Sequence, residues 1–79
     1  MVSVAIMGHG VVGSGVAEIL LTHKQKLFAS LGEEVYIKKV LDLREFPDSP
    51  IADRFTKDFN DIINDLEIRV VVEVMGGLN

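Results

Sequence analysis

A glycine-rich turn is the feature of this 79-residue chain with the clearest chemical potential. The segment Gly8-His9-Gly10-Val11-Val12-Gly13 has the pattern G-x-G-x-x-G and lies between a predicted strand and a predicted helix. In that context the pattern is typical of a loop that holds the pyrophosphate of a dinucleotide at a helix N-terminus. Gly8 would permit the tight turn, Gly10 would let the pyrophosphate approach the backbone, and Gly13 would allow close packing of helix on sheet. The alternative is a turn whose glycines serve packing only.

The second candidate is Asp42, which follows the second predicted strand. In a dinucleotide fold, a carboxylate at this place accepts hydrogen bonds from the adenosine ribose and favours NAD. It lies farther beyond Gly13 than the ~20 residues of the general fingerprint, so the intervening helix must be extended. Arg44 could instead pair with a 2′-phosphate, which leaves NADP open. The alternative for Asp42 is a residue that simply opens a turn.

A third candidate is Gly76, which with Gly77 follows the last predicted strand. Ligands of open α/β sheets bind at this edge, where a residue without a side chain would let a cofactor ring pass; the alternative is a flexible exit from the strand. We interpret Glu73 as a strand-end carboxylate rather than a catalytic acid. Neither His9 nor His23 has the neighbours of a metal ligand, and no nucleophile–base pair is recognisable. We therefore assign no catalytic residue and no metal site.

Hydrophobic patterning predicts the elements that position these candidates. Strands are predicted over Val2–Met7, Val35–Leu41 and Ile68–Met75, with the first and the last buried on both faces. One helix is predicted from Val12 to Leu31, closed by Gly32, and a second from Asp58 to Asp65, with Asp58 as N-cap, Asp61 in a capping box, and Phe59, Ile62 and Ile63 facing inward. Both prolines fall between Arg44 and Asp53, which predicts a loop.

This order, β-α-β-loop-α-β, predicts an α/β fold with a partial Rossmann-like, doubly wound parallel sheet. A complete dinucleotide domain has about six strands, so residues 1–79 are expected to be the N-terminal part of a truncated domain, without a substrate domain. An uncovered edge of valine-rich strand predicts self-association or marginal stability.

Composition limits the classes of partner. The net charge of −4 speaks against a nucleic-acid surface, and 48% hydrophobic residues indicate a chain that buries a core. There are no cysteines, which removes a disulfide framework. The N-terminus lacks the basic region of a targeting peptide, and no apolar run approaches the ~18 residues that span a bilayer. We expect a cytoplasmic protein with neither nucleic acid nor membrane as a partner.

Two segments together resemble the homoserine dehydrogenases. One runs from Val4 to Val16 through the glycine turn, and the other is Val70-Val71-Val72-Glu73-Val74-Met75-Gly76-Gly77. The second is the more specific, because many dinucleotide enzymes share the glycine turn. The similarity extends over essentially the whole chain.

The resemblance implies an oxidoreductase that interconverts homoserine and aspartate semialdehyde with NAD(P), in the biosynthesis of threonine, methionine and isoleucine. It places Gly8, Gly10, Val11, Val12 and Gly13 in the phosphate loop, Asp42 and Arg44 at the adenosine ribose, and Gly76 near the nicotinamide. The family's catalytic lysine, substrate carboxylates and dimer interface lie in a downstream domain, so the full-length enzyme is expected to be a homo-oligomer and this chain alone to be inactive.

His9 and Val11 stand where many relatives carry Phe and Thr, so the packing of those positions against a cofactor is open. Two other functions are compatible with the turn. One is a non-catalytic nucleotide-sensing module, because the same half-fold can bind a dinucleotide without reacting with it. The other is a methyltransferase that binds S-adenosylmethionine, which the third glycine and the Val-Met-Gly-Gly strand end fit less well.

Overall fold

The computed structural model describes residues 1–74. Its elements are β1 (Val2–Met7), α1 (Val11–Thr22), α2 (Lys24–Leu31), β2 (Val35–Leu41), a 3₁₀ turn (Ala52–Arg54), β3 (Phe55–Thr56), α3 (Asn60–Ile63) and β4 (Ile68–Glu73). The bounds of β1 and β2 agree with the predicted strands. The short β3 was missed, because two residues after a proline-containing loop carry no alternating pattern.

The four strands form one parallel sheet in the order β3-β2-β1-β4. The first four positions of a doubly wound Rossmann sheet have this same order, 3-2-1-4, which confirms the predicted fold class. Met7 is in register with Leu41 on one side and with Glu73 on the other. The residues that follow β1, β2 and β4 therefore lie at one edge of the sheet, at the point where the chain changes winding direction.

The core lies on both faces of β1, in which Val4, Ala5 and Ile6 are buried as predicted. Val4 and Ile6 pack against the α1 side with Ala17, whereas Ala5 packs on the opposite face with Ile62 of α3. Helices thus cover both faces of the sheet, which is the arrangement that makes it doubly wound.

The predicted helix over Val12–Leu31 is wrong in one respect, since the chain forms two helices that break at His23. His23 has ψ 33°, outside the helical range, although its N–H still reaches the Ile19 carbonyl at 2.9 Å. None of the α2 residues is buried, so no packing holds α2 in line with α1. Gly32 ends α2 in the left-handed conformation, with φ 75°, as expected of a C-terminal glycine.

Helix α3 is shorter than the predicted Asp58–Asp65, and only one of its three predicted core residues is buried. Ile62 is buried, whereas Phe59 and Ile63 are 47% and 54% exposed. The N-cap is Phe59 rather than the predicted Asp58, which precedes it and accepts a hydrogen bond from the Asn60 N–H at 2.9 Å. Asp61 accepts a hydrogen bond from the Thr56 hydroxyl instead of completing a capping box.

Strand β4 is not the buried strand that its valines predict. Val70 and Val71 are 46% and 47% exposed, because within residues 1–74 β4 pairs with β1 alone and forms an edge of the sheet. The continuous apolar pattern indicates a strand covered on both faces, and the described residues supply only part of that cover.

Candidate functional site: the glycine turn and the end of β2

The glycine turn leaves β1 through a backbone conformation that requires glycine. Gly8 has φ 103°, a value that residues with a Cβ rarely adopt. Its N–H donates to the Leu41 carbonyl at 2.7 Å, which ties the exit of β1 to the end of β2. The turn therefore starts from a fixed point on the sheet edge.

Gly13 is required for a different reason, because the first turn of α1 folds directly against the loop. A Cβ at Gly13 would lie 2.0 Å from the Gly8 carbonyl oxygen and 3.1 Å from Cγ2 of Val74, which follows β4. Atoms cannot approach that closely, so any larger residue must displace the turn. The third glycine brings helix α1 against both the loop and the end of β4.

Gly10 differs from the other two, because protein packing does not demand it. Its backbone is extended, with φ −77°, and among residues 1–74 the only atom that a Cβ there would meet is Arg44 Nη2, at an ordinary 3.7 Å. Gly10 is also the N-cap of α1, and no side chain caps the helix. The next two residues, Val11 and Val12, are 91% and 64% exposed. The helical N–H groups at this open helix start favour an anion, and a side chain at position 10 would extend into the same space.

Asp42 is buried at the end of β2, and four N–H groups donate to its carboxylate. Oδ1 accepts from the Arg44 backbone N–H at 2.8 Å and from Arg44 Nε at 3.0 Å. Oδ2 accepts from the His9 backbone N–H at 2.8 Å and from Arg44 Nη2 at 2.9 Å. The Arg44 hydrogen bonds, joined by that of His9, hold the pKa of Asp42 well below its ordinary value against the opposing effect of burial.

The Arg44 side chain extends from Asp42 to the protein surface, and 63% of it is exposed. The guanidinium lies 5.3 Å from the centre of the Phe46 ring. Asp42, Arg44 and Lys57 line a cavity of about 260 Å³, and Lys57 itself pairs with Glu45 at 3.0 Å. Two cationic side chains thus flank the place where a dinucleotide fold holds its adenosine ribose.

The His9 side chain takes part in a contact that the sequence did not reveal. Its ring meets Phe46 and Phe55 edge to face, with centroids 4.7 and 4.8 Å apart. Nδ1 is buried without a hydrogen-bond partner. Burial lowers the pKa of His9; Asp42 raises it and Arg44 lowers it further. The sequence predicts no packing partner for the His9 ring, although Phe46, inside the predicted loop, and Phe55, just after it, were a usable signal.

A larger cavity of about 820 Å³ lies beside α1, bounded by Ala17, Leu21 and the segment 45–51. It occupies the position where a crossover helix between β2 and β3 would pack in a sheet of this order. The cavity adjoins the glycine turn through His9 and Ser14, but its lining is mostly apolar.

The remaining site predictions have simple outcomes. Gly76 lies outside the described residues. Among residues 1–74, no group of histidines, aspartates and glutamates is arranged to hold a metal ion. In the same part of the chain, no helix has the length and hydropathy needed to cross a membrane.

Comparisons with known proteins show what the sequence and the fold of this chain are similar to. No protein-family model matches the chain. Homoserine dehydrogenase of Bacillus subtilis (strain 168) is 39% identical over 80 residues, covering 98% of this chain and 18% of that protein. Homoserine dehydrogenase of Lactococcus lactis (strain IL1403) is also 39% identical, over 95% of this chain and 19% of that protein.

A crystal structure of S. aureus homoserine dehydrogenase at pH 8.5 has a TM-score of 0.84 and 34% identity, covering 99% of this chain and 20% of that chain. The chain spans about a fifth of the length of the relatives it matches. Over that length both the sequence and the fold agree. The resemblance is thereby confirmed, and over its length the chain is similar in sequence and fold to one segment of homoserine dehydrogenases.

Proposed function

We propose that this chain is the NAD(P)-binding segment of a homoserine dehydrogenase, an oxidoreductase that interconverts L-homoserine and L-aspartate 4-semialdehyde. The observation that carries the proposal is the turn at Gly8–Gly13. Gly8 and Gly13 are needed by the protein backbone, whereas Gly10, between them, leaves room that the atoms of residues 1–74 do not use. A turn built only for packing would have no reason to have glycine at position 10.

The cofactor would be held by groups at one edge of the sheet. Gly8, Gly10, Val11, Val12 and Gly13 would surround the pyrophosphate. Asp42 and Arg44 would lie at the adenosine ribose, and Gly76 would lie near the nicotinamide ring. The nicotinamide supplies the hydride acceptor or donor of the reaction. The residues of this chain bind and orient the cofactor, and we assign no catalytic residue among them.

Both NAD and NADP are compatible with the turn, and the cationic groups after β2 bear on the choice. The exposed guanidinium of Arg44, with Lys57 on the same cavity, suits the extra phosphate of NADP. A carboxylate open to the ribose hydroxyls would suit NAD instead.

The similarity to homoserine dehydrogenases supports a role in amino-acid biosynthesis. The proposed reaction would belong to the biosynthesis of threonine, methionine and isoleucine. The absence of cysteines from the sequence favours the cytoplasm. We expect the full-length enzyme to be a homo-oligomer.

Calorimetric titration of the chain with NAD and NADP tests this proposal, with S-adenosylmethionine as the control ligand. We expect either dinucleotide to bind and Gly10→Val to abolish the binding while the fold is retained, because the side chain would fill the pyrophosphate position. Gly15→Val is the matched control, since a Cβ at Gly15 meets nothing within 4 Å. Retained affinity in Gly10→Val, or binding of S-adenosylmethionine alone, would contradict the proposal.

A further inference from the structure

We propose that Asp42 is a positioning residue that sets cofactor selectivity through Arg44, rather than a direct ligand of the adenosine ribose. This inference rests on the proposed dinucleotide-binding function and specifies how the end of β2 takes part in it. It differs from the role expected of a carboxylate at this place, which is to accept the ribose hydroxyls.

The Asp42 carboxylate already accepts as many hydrogen bonds as it can hold. A carboxylate offers about four acceptor positions, and four N–H groups from His9 and Arg44 occupy them at 2.8–3.0 Å. Only 8% of the residue is exposed. A ribose hydroxyl could bind only by displacing one of these donors, and breaking a buried, charge-assisted hydrogen bond is unfavourable.

The Asp42 carboxylate holds the Arg44 side chain in place. Asp42 binds Arg44 at its backbone N–H and at two nitrogens of its guanidinium, so both ends of a long side chain are fixed by one carboxylate. The Phe46 ring lies beside the guanidinium. An arginine side chain otherwise has several freely rotating bonds, and this arrangement removes much of that freedom before any ligand arrives.

Asp42 holds the Arg44 guanidinium toward the glycine turn. Its Nη2 atom lies 3.7 Å from the Cβ position of Gly10, so the guanidinium reaches over the glycine turn. A guanidinium has five N–H donors, and Asp42 takes one on Nε and one on Nη2. The remaining donors form a planar fork, which matches the oxygens of a phosphate group. The ligand chemistry that this fork would recognise is a phosphate on the ribose 2′ position.

The negative charge of Asp42 opposes this effect by weakening the attraction between Arg44 and a phosphate. The Arg44 side chain is 63% exposed, so water and physiological salt screen part of this opposing interaction. Salt does not screen the cost of losing the fixed position of Arg44. We therefore expect Asp42→Asn to weaken NADP binding rather than to strengthen it.

The test compares the wild-type chain with Asp42→Asn and Arg44→Ala, and with Asp48→Asn as a matched control in an exposed part of the neighbouring loop. The probes are NAD and NADP, together with 5′-AMP and adenosine 2′,5′-bisphosphate, which differ only in the 2′-phosphate. We expect the wild type to prefer both 2′-phosphorylated ligands. Asp42→Asn should weaken NADP binding by about threefold to tenfold, and Arg44→Ala by about tenfold or more. The ratio of NADP affinity to NAD affinity should therefore fall in Asp42→Asn, and Asp48→Asn should resemble the wild type.

A readout without ligand tests the positioning directly. In the wild type, the Arg44 Nε–H proton should be protected from exchange with water, because it donates to the charged Asp42 carboxylate. In Asp42→Asn the acceptor is uncharged, so this proton should exchange faster. Unchanged exchange in Asp42→Asn would contradict the positioning role.

The possible binding results are distinct. If Asp42→Asn weakens NAD and spares NADP, Asp42 is a ribose ligand and the inference is wrong. If both affinities fall equally, so that their ratio is unchanged, Asp42 only anchors the turn through His9 and the inference is wrong. The inference is also wrong if neither affinity changes. If a folded wild-type chain binds neither dinucleotide, the proposed function itself fails, and the inference fails with it.

Discussion

Replacing Gly13 with alanine should destabilise the chain, whereas the same change at Gly15, two residues along the same helix, should not. The added Cβ at Gly13 would lie 2.0 Å from the Gly8 carbonyl oxygen and 2.8 Å from its carbonyl carbon. Relief requires a movement of roughly 1 Å in a turn whose start is held by the 2.7 Å hydrogen bond to Leu41. Neither neighbour is a flexible side chain, so the backbone itself must shift.

The magnitude follows from three contributions. Overpacking costs about 1–3 kcal/mol, and weakening the hydrogen bond between Gly8 and Leu41 adds about 0.5–1.5 kcal/mol. Alanine regains about 1 kcal/mol of helix propensity over glycine. The net loss for Gly13→Ala is therefore about 2 kcal/mol, whereas Gly15→Ala, with nothing near its Cβ, should gain up to about 1 kcal/mol.

Thermal unfolding followed by circular dichroism measures both variants. In a domain of this size, 1 kcal/mol shifts Tm by about 4–8 °C, so Gly13→Ala should melt roughly 8–16 °C below the wild type. Gly15→Ala should melt at or slightly above it. If the two variants are equally stable, the turn is not packed against α1 as described, and the steric reason for the third glycine is refuted.

Three further predictions concern pH, the core and the sheet edge. The pKa of His9 is lowered in the folded chain, so its contribution to stability should be fully present above about pH 6.5 and should be lost as pH falls toward the folded pKa. In urea titrations His9→Phe should remove this pH dependence. His23→Phe, which keeps His9, should retain it. Ile62→Ala should cost about 2–4 kcal/mol in the same assay and Ile63→Ala less than about 1 kcal/mol, because only Ile62 is buried; equal losses would contradict the described face of α3. Sedimentation velocity should show concentration-dependent association through β4, reduced in Val71→Lys, and a wild type that stays monomeric at all concentrations would refute this.

Local patterns were sufficient for β1 and β2. The apolar, β-branched runs predict β1 and β2 to the residue, because both strands lie inside the sheet and their composition reflects that burial. The break at His23 and the short α3 were not predictable in this way. They depend on which helix faces find a packing partner, and that is a property of the tertiary structure.

The chemistry at the end of β2 was only partly predictable. The position of Asp42 after a strand indicated an acceptor at the sheet edge, and the spacing to Arg44 indicated two competing roles. That the two side chains pair with each other, with the His9 N–H completing the set, depends on the Arg44 rotamer and on the approach of the glycine turn. Sequence spacing fixes neither of them.

These contacts explain why the turn can be ready for a ligand before one binds. The Gly8 N–H donates to the carbonyl of Leu41, and the His9 N–H donates to the carboxylate of Asp42, so two consecutive amides of the turn are fixed by consecutive residues at the end of β2. Gly13 closes the other end of the turn against the Gly8 carbonyl. A loop held in this way would lose little conformational entropy on binding, and under the proposed function the amides at the start of α1 would be directed at the ligand in advance. Asp42 joins the glycine turn to Arg44, so under the proposed function a change there should affect cofactor choice more than fold.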